Sequence, residues 1–317
     1  MRKIIGIGET VLDVIFHDDQ PKAAVPGGST FNALVSIGRT VGVEFPFVPI
    51  TMITEVGDDH IGDIVINFMS KNHIDISHVV RNKGTQTHIS MAFLDQNNDA
   101  QYEFYKDHAH AQLDKEQSAH FPFHANDIVI FGSFFAINPV IRHVTLQLLR
   151  EAHEAGAILY YDINFRKSHI KDLPDVMENI RENIRLCDIV RGSADDFRYL
   201  FGTTDAKEIY EKHISPLCPN FIFTSGAEVI EVFSPGVHSV YRPLRCKTVS
   251  TIGAGDNFNA GVVYAIVRYC FTKDYVESAL ELNEAGWELL VRQARRFSAA
   301  VCRSLDNYVG EDFIKKL

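Results

Sequence analysis

Short apolar runs, separated by stretches of helical period, recur along the 317-residue chain. Lys3–Gly8, Asp127–Ser133, Ala157–Phe165, Asp188–Gly192 and Asn220–Gly226 are the apolar runs, and they read as buried strands. Val140–Glu154, Pro174–Leu186 and Ala206–His213 lie between them and read as helices, as does the C-terminal Asn283–Arg303. Runs this apolar have no polar face to offer water, so both faces of the sheet must be covered. Alternating strand and helix meets that need with a mostly parallel sheet between two helical layers, a three-layer α/β/α fold. Ligands of such sheets gather outside the carboxyl ends of the strands, so the polar residues after each run are the ones to weigh.

One region breaks the alternation. Thr87–Leu94 and Ala100–Tyr105 flank the turn Asp95–Asp99 and read as a β-hairpin. Val11–Phe16, with the polar stretch up to Pro26, supplies further strands. These segments predict either a small β flap over the site or an antiparallel edge of the main sheet. No internal repeat or Pro/Gly/Ser linker is visible, which predicts one domain over 1–317 with a discontinuous β lid from about 11–26 and 84–107. A lid made of strands has edges, and such edges pair with other chains, which predicts a homodimer through the lid.

Charge narrows the partners. The formal net charge is -10 and no basic run appears, so nucleic acid is not expected. No apolar run approaches the roughly 20 residues that cross a bilayer, so no membrane partner is expected. The five cysteines are widely spaced and form no C-x-x-C, as structural thiols of a reducing, cytoplasmic protein would be.

Two glycine-rich sites carry the chemistry. In Ser250-Thr251-Ile252-Gly253-Ala254-Gly255-Asp256-Asn257-Phe258 a small-residue turn runs into an apolar helix. Such a turn leaves backbone N–H groups bare at the positive end of a helix dipole, where phosphate binds. Asp256 would repel phosphate as a ligand but suits a base that takes the proton of a hydroxyl attacking it. The second site, Pro26-Gly27-Gly28-Ser29-Thr30-Phe31-Asn32, precedes the helical run Ala33–Ile37. Paired glycines admit close approach to the backbone, and Asn32 both donates and accepts, as a polyol requires. The plainer alternative is a tight turn capped by Ser29 or Thr30.

Asp13 follows the first strand, where a carboxylate accepts sugar hydroxyls; Glu9 stands nearby. Arg166, in Asp162-Ile163-Asn164-Phe165-Arg166, ends another strand and can hold a phosphate or pair with Asp162 or Asp172. His108-Ala109-His110 lacks a third ligand for zinc. Gly6-x-Gly8 lacks the third glycine of a dinucleotide fingerprint, and no G-x-x-x-x-G-K-[ST] occurs.

Together these residues resemble the ribokinase-like (PfkB) sugar kinases along essentially the whole chain. Ser250–Phe258 matches the family's D-T-x-G-A-G-D-x-F. Gly27, Gly28 and Asn32 match its N-terminal signature, and Gly57-Asp58-Asp59 with Gly62 its G-x-D-x-x-G segment. The resemblance implies ATP- and Mg²⁺-dependent phosphorylation of a sugar's primary alcohol. In it Asp256 is the base and Gly253, Ala254 and Gly255 form the anion hole. Asp13, Gly27, Gly28 and Asn32 bind the sugar, with Arg166 beside it or near the γ-phosphate, and Thr224-Ser225-Gly226 resembles the nucleotide loop. Three departures stand out. Ser250 replaces the leading aspartate, a ligand of a monovalent cation in many members, which weakens the case for such a cation. Ser193-Ala194-Asp195-Asp196 stands where N-x-x-E approaches the metal, leaving Asp196 as a water-mediated Mg²⁺ ligand. Val229 replaces the last glycine of T-x-G-x-x-G. The flanks of Asp13 and Arg166 look most like fructokinases and 2-keto-3-deoxygluconate kinases. Fructose is therefore the first expected substrate, ketodeoxygluconate the second and ribose the third; Lys106 and Arg166 are candidates to hold a keto acid's carboxylate. The competing class is a non-catalytic sugar- or nucleotide-binding protein.

Overall fold

The computed structural model describes residues 2–94, 100–105, 121–273 and 280–317. In chain order its elements are β1 (Ile4–Ile7), β2 (Val11–His17), β3 (Gln20–Gly27), α1 (Ser29–Glu44), β4 (Ile50–Gly57), α2 (His60–Lys71), β5 (Val79–Asn82), β6 (Ile89–Leu94) and β7 (Ala100–Tyr105). There follow β8 (Ile128–Gly132), α3 (Arg142–Glu154), β9 (Ile158–Asp162), α4 (Leu173–Leu186), β10 (Ile189–Ser193), α5 (Ala194–Phe201) and α6 (Ala206–Ile209). The chain closes with β11 (Asn220–Ser225), β12 (Val229–Ser234), β13 (Val237–Tyr241), α7 (Ala254–Arg268), α8 (Glu284–Val301) and α9 (Glu311–Ile314).

The main sheet has the order β13-β12-β11-β10-β9-β8-β1-β4-β5. It is parallel from β11 to β5 and antiparallel only at β12 and β13. Strand alternation explains why its apolar runs are unbroken. Ile50, Ile4, Ile128 and Ile158 stand in register across four strands and pack with Phe31, Leu34, Val263 and Trp287 of α1, α7 and α8. The next row, Ile5, Val129 and Leu159, belongs to the other core, with Leu148, Leu149, Ile180 and Ile184 of α3 and α4. Each of these side chains, moved from water into the core, stabilises the fold by about 1.5–3 kcal/mol.

β3-β2-β6-β7 form a separate four-stranded sheet, so the flap, and not an added edge, is what these segments build. Its small core of Ile15 and Ala92 includes Ile252, the residue before Gly253. The small sheet therefore rests directly on the glycine turn. The hairpin turn 95–99, Lys106 and His108–His110 lie outside the described residues.

Candidate active site

From β1 the sheet extends one way through β4 and β5, and from β8 the other way through β9, β10 and β11. The reversal leaves a crevice between the carboxyl ends of β1 and β8, the usual ligand position in an open α/β sheet. A cleft opens there. It is lined by Glu9 after β1, Ser133 and Phe134 after β8, Asn164 and Arg166 after β9, Asp13, Ser90 and Tyr102 from the small sheet, and Gly28, Ser29, Asn32 and Asp256.

Asp256 occupies the first turn of α7. Gly253 caps that helix with φ 73°, and a Cβ there would lie 2.8 Å from the Asn307 carbonyl oxygen, so only glycine fits. The Ala254 N–H closes a turn onto the Thr251 carbonyl at 3.1 Å. It is therefore spent within the turn, and Gly255 and Asp256 carry the donors without a helical partner. Ser29 Oγ donates to Asp256 Oδ1 and Asn32 Nδ2 to Oδ2, each at 2.8 Å. Burial raises the Asp256 carboxyl above its ordinary range, helped by the charge of Asp162, while those hydrogen bonds and Arg166 oppose the rise. A raised carboxyl is a stronger base than a solvated one.

The paired glycines make this approach possible. Gly28 has φ 120°, and a Cβ on it would lie 2.3 Å from the Glu9 carbonyl oxygen; a Cβ on Gly27 would lie 2.0 Å from Asp13 Oδ2. Gly28, without a side chain, is the cap of α1, so Ser29 and Thr30 are not its caps; Ser29 is instead a partner of Asp256.

Asp13 is 4% exposed and accepts from Asn307 Nδ2 at 2.8 Å. Burial pushes its carboxyl up to about 7, and the charge of Asp256 adds to the rise. Asn32 Oδ1 is buried in the cleft wall without a hydrogen-bond partner, and the buried Ser90 hydroxyl beside it faces Asp13, where it opposes the rise. Arg166 lies over the Tyr102 ring, 5.0 Å from its centre. Neither expected ion pair forms: Asp162 pairs with Arg191 at 2.9 Å and Asp172 with His169 at 3.2 Å. Ser133 (φ 54°) and Asn164 (φ 41°) hold left-handed backbone at the cleft, a strain of about 1–3 kcal/mol each, of the kind that collects at functional sites.

The residues expected on the nucleotide side are engaged with the backbone and with one another. Asp196 is 4% exposed, and its oxygens accept from the Phe165 N–H (2.6 Å), the Ser193 N–H (2.6 Å) and Ser193 Oγ (2.7 Å). Ser193 and Asp196 are thus the capping box of α5. Among the described residues no three His, Cys, Asp or Glu side chains are grouped to hold a metal. Thr224, next to the last residue of β11, accepts from Arg191 Nη2 at 2.7 Å, and Gly226 (φ 43°) makes the turn into β12. Ser250 is 1% exposed and its Oγ accepts from the Ile252 N–H at 3.1 Å, so its one oxygen braces the turn.

A carboxylate base beside open backbone donors, facing a cleft of hydroxyl-binding groups, is the equipment of an enzyme that phosphorylates an alcohol. The chain belongs to the pfkB family of carbohydrate kinases, whose model matches residues 1–307. It is a phosphotransferase of that family. It is 26% identical over 301 residues to a fructokinase of Rhizobium leguminosarum bv. trifolii, covering 92% of this chain and 89% of the relative. It is 23% identical over 270 residues to the probable chloroplastic fructokinase-6 of Arabidopsis thaliana, covering 82% and 69%. Its fold matches aminoimidazole riboside kinase of Salmonella enterica, solved with aminoimidazole riboside and an ATP analogue, with TM-score 0.78, 20% identity and coverage of 96% and 95%. It also matches a Vibrio cholerae fructokinase bound to fructose, ADP and calcium, with TM-score 0.79, 19% identity and coverage of 100% and 98%.

Proposed function

We propose that this kinase transfers the γ-phosphate of MgATP to the primary hydroxyl of a monosaccharide, with fructose as the first choice. The observation that carries the reading is Asp256, held by Ser29 and Asn32 at the start of α7 and facing the cleft. The substrate hydroxyl lies against Asp256, which takes its proton as the oxygen attacks phosphorus. The Gly255 and Asp256 N–H groups receive the charge that develops on the phosphoryl oxygens. Asp13, Asn32 Oδ1 and Ser90 accept and donate to the ring hydroxyls. The small sheet acts as a lid that excludes water and so suppresses ATP hydrolysis. Mg²⁺ arrives on the nucleotide phosphates as part of the substrate and neutralises their charge. The fructokinase relatives support fructose. Arg166 in the cleft supports a second reading, a keto-acid sugar such as ketodeoxygluconate, whose carboxylate would take a guanidinium.

ADP release, measured with fructose, ketodeoxygluconate, ribose, tagatose and nucleosides, tests this. Fructose is expected to give the highest kcat/KM. Turnover confined to the keto acid selects the second reading, and sugar binding without turnover on any of them refutes the assignment of Asp256 as base.

A further inference from the structure

We propose that Arg191 is a positioning residue for the nucleotide phosphates, a fixed internal cation beneath the first turn of α7. The proposal rests on the kinase reading of that turn. Arg191 lies on β10, between β9 and β11, and is 8% exposed. Its Nη1 donates to Asp162 Oδ1 at 2.9 Å and its Nη2 to Thr224 Oγ1 at 2.7 Å. A Cβ added to Gly255 would meet those same two nitrogens at 3.1 and 3.2 Å. One guanidinium thus touches the end of β9, the start of the T-S-G loop and the glycine that offers an open N–H.

The surroundings explain why a cation is needed there. Asp162 is 3% exposed and Asp196 4%, and both lie near Asp256 or Arg191. Burial is the main force raising the carboxyls of Asp256 and Asp196, the charge of Asp162 adds to it, and Arg191 pulls Asp196 back down. Asp162 is held in place from the other side, since its Oδ2 accepts from Asn259 Nδ2 at 2.7 Å and Asn259 Oδ1 accepts from the Tyr160 hydroxyl at 2.8 Å. Three carboxylates beneath a phosphate site would repel a polyanion, and in a low-dielectric interior that repulsion is little screened. Arg191 offsets it without touching the phosphate. A side chain at Gly255 would press on the guanidinium, which would have to give by a few tenths of an ångström.

Calorimetry with ADP and with adenosine separates charge from shape and needs no turnover, so it can succeed even if no tested sugar is phosphorylated. Arg191→Met is expected to weaken ADP about tenfold or more while leaving adenosine within about twofold. Arg191→Lys, which keeps the charge, is expected to stay within about threefold for ADP. Asp162→Asn, which removes the opposing charge, is expected to leave ADP unchanged or tighter. A merely structural Arg191 predicts that Arg191→Met and Asp162→Asn weaken ADP alike, or that ADP and adenosine suffer equally, and either result overturns the proposal. Should Arg191→Met fail to fold, the other two variants decide: a tenfold loss in Arg191→Lys, or any weakening of ADP in Asp162→Asn, overturns it.

Discussion

Asp13→Asn should stabilise the protein at alkaline pH while removing sugar affinity. In the unfolded chain Asp13 ionises near 3.8, and in the fold only near 7. A carboxyl raised in this way favours the fold below its unfolded value and opposes it as pH rises through the folded value. The difference of about three pKa units corresponds to about 4 kcal/mol of instability once pH exceeds 7. Asn keeps an oxygen to accept from Asn307 and carries no charge, so it removes that penalty. Its advantage over wild type is expected to be about 1.5 kcal/mol at pH 5 and about 4 kcal/mol at pH 8.5. Urea denaturation of both proteins at pH 5, 7 and 8.5 measures it, and the difference between them cancels all groups that titrate alike in both. Calorimetry with the substrate sugar at pH 8.5 reports the accompanying loss of binding. A gain that is flat with pH, or a loss of stability at pH 8.5, would refute the claim that the fold holds an ionised carboxylate there at a cost to stability, as binding sites commonly do.

Three further outcomes follow from the same geometry. Gly28→Ala must relieve a contact of 2.3 Å with the Glu9 carbonyl and adopt φ 120°, so thermal denaturation should show a loss of about 3 kcal/mol or more, with a raised sugar KM; wild-type behaviour would show that the turn can relax. Because Ser250 is tied to the Ile252 N–H, replacing K⁺ by Na⁺ or Tris in the ADP-release assay should change kcat by less than about twofold, and a large K⁺ activation would contradict that. Among the described residues the small sheet has β3 and β7 as edges, and light scattering is expected to return the mass of a dimer; a monomer at assay concentration would dismiss the lid as its interface.

The parallel sheet was legible because Ile4–Ile7, Ile128–Gly132 and Ile158–Asp162 are buried on both faces, and a strand so buried reads as a nearly continuous apolar run. The edge strands were not. β13 alternates between half-buried and exposed residues, and β5 holds Arg81, so neither stands out from loop. The helix expected over Ala206–His213 ends as α6 at Ile209 and widens into a looser turn over Tyr210–Ile214, which periodicity does not distinguish. Within the site, Gly253, Gly255, Asp256, Gly28 and Asn32 were legible because backbone needs fix their spacing locally. Ser90, Asn307 and Arg191 were not. Asn307 reaches Asp13 across 294 residues, and Arg191 sits within an apolar run whose alternation does not reveal that it passes under α7. Asp196 reads two ways in the sequence, since a carboxylate three residues after a serine is as much a helix cap as a metal ligand, and the structure shows the cap.

Asp256→Asn bears most directly on the whole account. Asn retains an oxygen for Ser29 and roughly the same volume beside Asn32, but it cannot take a proton. The account predicts that kcat falls by about 10²–10⁴-fold while calorimetric affinities for sugar and ADP stay within about threefold. Turnover close to wild type, or loss of sugar and nucleotide binding along with it, would contradict Asp256 as the base.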